Sequence, residues 1–229
     1  MPQIVAVIFD LDGTLVNSLE DISASVNHVL QGLGCRSLSV EEYRPLVGWG
    51  LRQLVASAAD RTLTEPEWDG AYQAVLNRYR EFPVINSSLY EGIPELFKKM
   101  PHTLSLGILS NKEHQVAQAV VKTLMPTVPF RSVWGARPGV PHKPDPSALR
   151  EMIHSWGLTP QQTAFVGDSG VDMQTAVNAG CLALGVAWGF RPREELENAG
   201  AKEIFHDPHH LSLWLEENIL QKELTSTGN

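Results

Sequence analysis

The chain is short of cysteine and of positive charge, and both shortages narrow what it can be. Only two cysteines, Cys35 and Cys181, occur among 229 residues. They form no CxxC pair and no metal-binding pattern, which suits a reduced, cytoplasmic protein and argues against a disulfide scaffold. Lysine and arginine total 18 against 26 aspartates and glutamates, for a net charge of −8. That balance gives no basic face for non-specific nucleic-acid binding. No apolar run approaches the ~18 residues of a membrane span, and the N-terminus has no basic leader with a cleavable apolar segment. Repeats of solenoid period and low-complexity tracts are absent, and only the tail from about Gln221 to Asn229 reads as disordered. Three catalytic signatures are missing as well. There is no GxxxxGK[ST], no HExxH and no GxSxG, because Gly167-Asp168-Ser169-Gly170 lacks the spacing. His206, His209 and His210 lie near one another and read as solvated.

What remains is a chain of globular composition, 43% hydrophobic and 19% charged, able to bury a sizeable core. It is organised around Ile4 to Leu15, IVAVIFDLDGTL. The run Ile4 to Phe9 shows no polar alternation and reads as a strand buried on both faces. It ends in Asp10-Leu11-Asp12-Gly13-Thr14. Side chains two apart on an extended segment point the same way, so Asp10 and Asp12 leave the strand end together. Such close carboxylates repel unless a cation or a shared proton compensates. A solvated turn would also tolerate the pattern. An EF-hand loop would not, since its glycine comes five residues after the first Asp. The strand context favours chemistry, because ligands of open α/β sheets sit beyond the carboxyl ends of the strands.

After Leu15 the pattern turns helical. Ser18 reads as the cap of a helix to about Leu33, and Gly50 to Asp60 as another helix. Ser39 with Glu42, and Thr64 with Glu67, read as capping boxes, the second opening a helix to about Arg80. Strand and helix then alternate from Ser88. Strands are expected at Thr103 to Leu109 (stopping at Ser110-Asn111-Lys112), Ser132 to Gly135, Thr163 to Val166, Leu182 to Ala187 and Glu203 to Phe205. Helices are expected at Glu113 to Leu124, after Asp145 with Pro146 at the first position, at Gly170 to Ala179 and Pro192 to Ala199, and from Asp207-Pro208. Alternation with single helices implies parallel crossovers, hence a Rossmann-like doubly wound α/β sheet. The expected division is a catalytic core of residues 1–15 and 88–229 with an inserted all-helical cap at 16–87. The hinge would lie near Leu15 to Leu19 and Pro83 to Leu89.

Three further strand ends carry polar groups: Ser110-Asn111, Lys143 in His142-Lys143-Pro144-Asp145-Pro146, and Asp168 with Asp172. Each alone reads as a turn, a solvated lysine or a helix N-terminus enriched in Asp. Together, DxDGT, Ser, Lys and GDxxxD in that chain order resemble the haloacid dehalogenase-like (HAD) phosphatases, over nearly the whole chain. Thr14, Leu15 and Asn17-Ser18 match the first motif too. The resemblance implies a magnesium-dependent phosphatase working through an aspartyl phosphate. Asp10 would be the nucleophile and Asp12 the general acid and base. Magnesium would be held by the Asp10 side chain, the Asp12 backbone carbonyl and Asp168. Asp172 would stand behind as an outer or alternate ligand anchoring Lys143. Ser110, Asn111 and Lys143 would bind the phosphoryl oxygens.

Dehalogenases of that superfamily need neither the second Asp nor magnesium, so Asp12 and Asp168 argue against that chemistry. A sugar-phosphate mutase on the same core is the alternative enzyme. A silent regulatory core would be expected to have lost Asp10, Asp12 or Asp168. Val47-Gly48-Trp49-Gly50-Leu51, Tyr90-Glu91-Gly92-Ile93 and Ala187-Trp188-Gly189-Phe190-Arg191 resemble substrate loops of phosphoglycolate phosphatases. Trp49 departs from that pattern and reads equally as a substrate contact or as hinge packing. Arg191 is a candidate for an anionic substrate tail, or a solvated loop arginine. The expected partner is a small phosphorylated organic acid, with sugar phosphates, nucleotides and pyrophosphate open. No nucleic-acid or membrane partner is expected, and the chain would be a monomer or homodimer.

Overall fold

The computed structural model describes residues 3–101 and 103–220. The disordered tail expected from Gln221 onward lies outside the described residues. The first strand, β1 (Ala6–Phe9), is fully buried. Its alternate side chains feed different cores. Val7 and Phe9 join one apolar cluster, Ala6 and Ile8 the other. This is what a strand without polar alternation requires, a layer on each face.

The next pieces are a pair of two-residue strands, β2 (Val16–Asn17) and β3 (Ser88–Leu89), which pair antiparallel. The chain between them is helical: α1 (Leu19–Gly32), α2 (Val40–Tyr43), α3 (Leu51–Ala58) and α4 (Glu65–Glu81). Both expected capping boxes are present, Ser39 with Glu42 and Thr64 with Glu67. The helices bury Ile22, Val26, Leu54, Val55 and Val75 in an apolar cluster continuous with one face of the sheet.

After β3 come α5 (Ile93–Lys99), β4 (Ser105–Glu113), α6 (His114–Leu124), β5 (Ser132–Ala136) and α7 (Ser147–Ser155). Then follow β6 (Thr163–Gly167), α8 (Gly170–Ala179), β7 (Leu182–Val186), α9 (Arg193–Asn198), β8 (Glu203–Phe205) and α10 (Pro208–Leu215). The sheet order is β5-β4-β1-β6-β7-β8, with every pairing parallel. The chain winds outward from β1 in both directions, so the crevice lies beyond the carboxyl ends of β1, β4 and β6.

Three details depart from the sequence expectations. The strand expected to stop at Leu109 runs on to Glu113, with a register irregularity between Leu109 and Glu113 that lets it bend and still pair with β5. Ser18 stands at the start of α1 but makes no side-chain cap; its hydroxyl donates to Asp12 Oδ1 instead, at 2.6 Å. Pro146 is the residue before α7 rather than its first residue. Asp145 there accepts a hydrogen bond from the Ser147 amide.

Candidate active site

The sheet brings the polar strand ends together. Asp10 follows β1, Ser110 lies within β4, Asp168 follows β6, and Lys143 reaches in from the loop before α7. Asp10, Ser110, Lys143, Asp168 and Asp172 are all buried. Lys143 Nζ donates to Asp10 Oδ1 at 2.7 Å and to Asp172 Oδ1 at 2.6 Å. The second oxygen of Asp172 is held by the Ser169 amide and hydroxyl at the start of α8. Asp168 accepts from Thr14 Oγ1 at 3.1 Å and from the Phe190 amide at 2.7 Å. Asp12 takes a different set of partners: besides Ser18, Lys112 Nζ lies 3.1 Å from each of its oxygens.

Gly13 makes this density possible. Its φ is +89°, and a Cβ there would stand 2.3 Å from Asp168 Oδ2. Any side chain would displace the carboxylate that closes the site and would force a left-handed backbone besides.

The charges do not cancel. Asp10, Asp168 and Asp172 each place an oxygen within 4.8 Å of the others. Lys143 is the ammonium that reaches two of them. Burial pushes the Asp10 carboxyl up to about 7; Lys143 opposes this, and Asp172 and Asp12 add to it. Burial, then Asp172 and Asp10, pushes Asp168 well above the carboxylate range, against hydrogen bonds from Phe190 and Thr14. Burial alone would lower the Lys143 ammonium, but Asp10 and Asp172 outweigh it and raise it above its ordinary value. Asp10 Oδ2 accepts no hydrogen bond from any described residue. A buried oxygen cluster of surplus negative charge fits a hard divalent cation.

Of the other expected site residues, Asn111 and Arg191 also line the carboxylate cavity, and Trp49 does not. The Asn111 side chain joins the core loop to the helical block. It donates to Lys143 O at 3.1 Å and Gly48 O at 2.8 Å, and accepts from the Lys143 amide at 2.9 Å. Arg191 donates to the backbone carbonyls of Arg44, Pro45 (2.9 Å) and Val47 (2.7 Å). Its guanidinium is thus engaged by the helical block rather than free in solvent. Trp49 is 48% exposed. It lines a surface groove with Val171, Gln174 and Glu195, outside the carboxylate cavity. Its neighbour Gly50, at φ +88°, lies so close to the core that a Cβ would meet the His142 ring at 2.7 Å.

The sequence motifs did not single out Lys112, Thr14 as a partner of Asp168, or Tyr79. The cavity at the strand ends is narrow, about 50 Å³, and Tyr79 and Lys112 line it together with the carboxylates. Lys112 Nζ stands 5.2 Å from the centre of the Tyr79 ring. The spacing of Ser110 and Lys112, two apart on one strand, was the available signal for Lys112.

Residues 7–186 match the sequence profile of the haloacid dehalogenase-like hydrolases. The chain belongs to this family. Among curated relatives, the phosphoglycolate phosphatase of Rhodospirillum rubrum is 34% identical over 218 residues, covering 92% of this chain and 90% of that protein. The N-acetylmuramic acid 6-phosphate phosphatase of Pseudomonas aeruginosa is 29% identical, covering 90% and 92%. Among solved structures, a predicted phosphoglycolate phosphatase from Haemophilus somnus superposes with a TM-score of 0.83 at 28% identity, over 92% of this chain and 97% of that one. The parallel sheet flanked by helices is the α/β core of these haloacid dehalogenase-like hydrolases. Among the described residues, no helix is long and apolar enough to cross a membrane.

Proposed function

We propose that the chain is a magnesium-dependent phosphatase of small phosphate monoesters, with 2-phosphoglycolate the leading substrate. The observation that carries the proposal is the buried meeting of Asp10, Asp168 and Asp172 around Lys143, with one oxygen of Asp10 left without a hydrogen bond. Asp10 would attack phosphorus in line with the leaving oxygen and form an aspartyl phosphate, splitting a very slow hydrolysis into two displacements. Asp12, steadied by Ser18 and Lys112, would give its proton to the departing alkoxide and then take one from the attacking water. Ser110, Lys143 and the Asn111 backbone would bind the phosphoryl oxygens as charge shifts among them. Asp10, the Asp12 carbonyl and Asp168 would hold the cation, and Asp172 would keep Lys143 in place. When bound, the cation offsets the repulsion between a carboxylate nucleophile and a dianionic phosphoryl group.

In this reading residues 16–87 act as a cap over a core of 1–15 and 88–229, working in the cytoplasm as a monomer or homodimer. Motion about β2 and β3 would admit substrate, and closure would exclude bulk water. The 34% identity to the phosphoglycolate phosphatase of Rhodospirillum rubrum supports 2-phosphoglycolate over an N-acetylated sugar acid. The test is hydrolysis of a panel containing 2-phosphoglycolate and N-acetylmuramic acid 6-phosphate, with and without EDTA. The expected result is a kcat/KM for 2-phosphoglycolate of roughly 10⁴–10⁶ M⁻¹s⁻¹, abolished by EDTA. Turnover that survives chelation, or hydrolysis of no ester, overturns the proposal.

A further inference from the structure

The strongest unexplained feature beside the carboxylates is a tyrosine. Tyr79 comes from the last turn of α4 and stands beside Lys112 of the core. It is 7% exposed and lines the cavity. Its hydroxyl is buried and has no hydrogen-bond partner among the described residues. A buried hydroxyl left unpaired costs stability, whereas phenylalanine would fill the same space at no such cost. Most of the cavity wall contributed by the helical block is apolar: Ile22, Val47, Leu51 and Leu54. Tyr79 is the polar exception, and it adjoins the Lys112–Asp12 pair. Burial foremost, then Asp12, Tyr43 and Asp21, holds the phenol well above its ordinary range, so it keeps its proton and can donate.

Asp12 is the group placed to meet the leaving oxygen of the ester. Packed against the ammonium that holds Asp12, Tyr79 stands on the Asp12 side of the cavity. We propose that Tyr79 is a specificity-determining contact, donating its hydroxyl to an oxygen on the alcohol portion of the substrate, such as that of a carboxylate or carbonyl. The inference rests on the phosphatase reading above and adds to it which end of the ester is read, and by what. An ester whose alcohol portion has no such oxygen leaves the hydroxyl unpaired in the complex and loses the selection.

The test compares 2-phosphoglycolate with ethyl phosphate, which has the same carbon count but no carboxylate, in wild type and Tyr79→Phe. The expected result is that the ratio of the two kcat/KM values falls about three- to tenfold in Tyr79→Phe, the range of one hydrogen bond. The loss should appear in KM for 2-phosphoglycolate more than in kcat. The melting temperature should hold or rise, because the substitution removes a buried group that bonds nothing in the protein. A ratio unchanged by the substitution overturns the inference, and so does a fall in melting temperature with the ratio unchanged. The second measurement is calorimetric binding of both esters, with magnesium, to Asp10→Asn and to Asp10→Asn/Tyr79→Phe. If wild type hydrolyses no ester of the panel above, the phosphatase reading fails. The Tyr79 inference still stands if 2-phosphoglycolate binds the single variant more tightly than ethyl phosphate and Tyr79→Phe erases the gap. Equal binding of the two esters to the single variant, or no binding of either, overturns it.

Discussion

The sheet core and the helical block between β2 and β3 handle polar groups in opposite ways. At the carboxyl ends of β1, β4 and β6 charged groups are withdrawn from solvent and bonded to one another, Lys143 between Asp10 and Asp172 and Lys112 against Asp12, while pairs on the core's outer helices, such as Arg193–Glu197, stay exposed. In the helical block the ion pairs lie outside, as with Arg36–Glu42, Arg44–Glu41 and Arg61–Glu67. Its interior is Tyr43, Leu54, Val55 and Val75. Buried charges are expensive and hold geometry; exposed pairs are cheap and hold little. The cost is concentrated at the strand ends, where the proposed reaction needs atoms in place beforehand, and avoided in the block proposed to cover them.

Four substitutions probe that contrast. The largest effect is expected for Asp10→Asn. It should lower turnover by at least about a thousandfold while the chain still folds, because the amide is not a nucleophile. Single-turnover assays and circular dichroism together would check this, and a retained rate would refute the assignment. Lys143→Met should come next. It strands Asp10 and Asp172 without their ammonium, and loss of one partner of a buried pair costs about 3–5 kcal/mol. Urea unfolding reads it; a loss below about 1 kcal/mol would mean that the core charges are far better solvated than their burial implies.

Asp21 tests the joint between the two regions. It sits on α1 and accepts from the backbone amides of Ile85, Asn86 and Ser87 and from the Ser87 hydroxyl. Burial opposes its charge, yet these bonds, led by that from the Ser87 side chain, hold its pKa below the ordinary 3.8. Asp21→Asn puts an amide donor among donors and should cost about 1–3 kcal/mol near neutral pH. The folded pKa is the lower one, so the carboxylate's contribution is full above the unfolded value of 3.8 and disappears as pH falls through the folded value. The gap between wild type and Asp21→Asn in a series of unfolding curves should therefore close below about pH 4. A gap independent of pH would show that the charge is not what the backbone amides hold. Smallest of all should be Arg36→Ala, where the partners are 57% and 45% exposed. It should change stability by less than about 1 kcal/mol. A larger loss would erase the contrast between the two regions.

Local pattern carried the reading of the sequence a long way, and its failures have a common cause. Asp10 and Asp12 were legible because the apolar run before them marks a strand end, where a spacing of two and a following Gly13 bring two carboxylates together. The capping boxes at Ser39 and Thr64 were legible because each is a bond across a few residues. Ser18 also looked like a cap, but folding offered its hydroxyl Asp12, a partner no helix rule includes. In the sequence Trp49 read equally as substrate contact or hinge packing, and Arg191 as a solvated loop arginine or a contact for an anionic tail. The fold turns the indole outward and sends the guanidinium to cap carbonyls roughly 145 residues away, as their long-range bonds record. The short pair β2–β3 and helix α5 went unread because two-residue strands and a short helix leave too little periodicity. Tyr79 was invisible for a different reason. An aromatic at helical spacing looks like core, and only its unpaired hydroxyl sets it apart.

The run Trp188 to Arg191 has a consequence for timing. Trp188 Nε1 donates to the Thr14 carbonyl at 2.9 Å, the Phe190 amide fixes Asp168, and Arg191 grips the helical block. One short strap therefore touches the first motif, a buried carboxylate of the candidate site and the helical block. If residues 16–87 move as the cover proposed above, release of Arg191 would occur next to the amide that fixes Asp168. In that reading, access to the site and readiness of the site would be set by the same piece of chain, and an open molecule would also be a less prepared one.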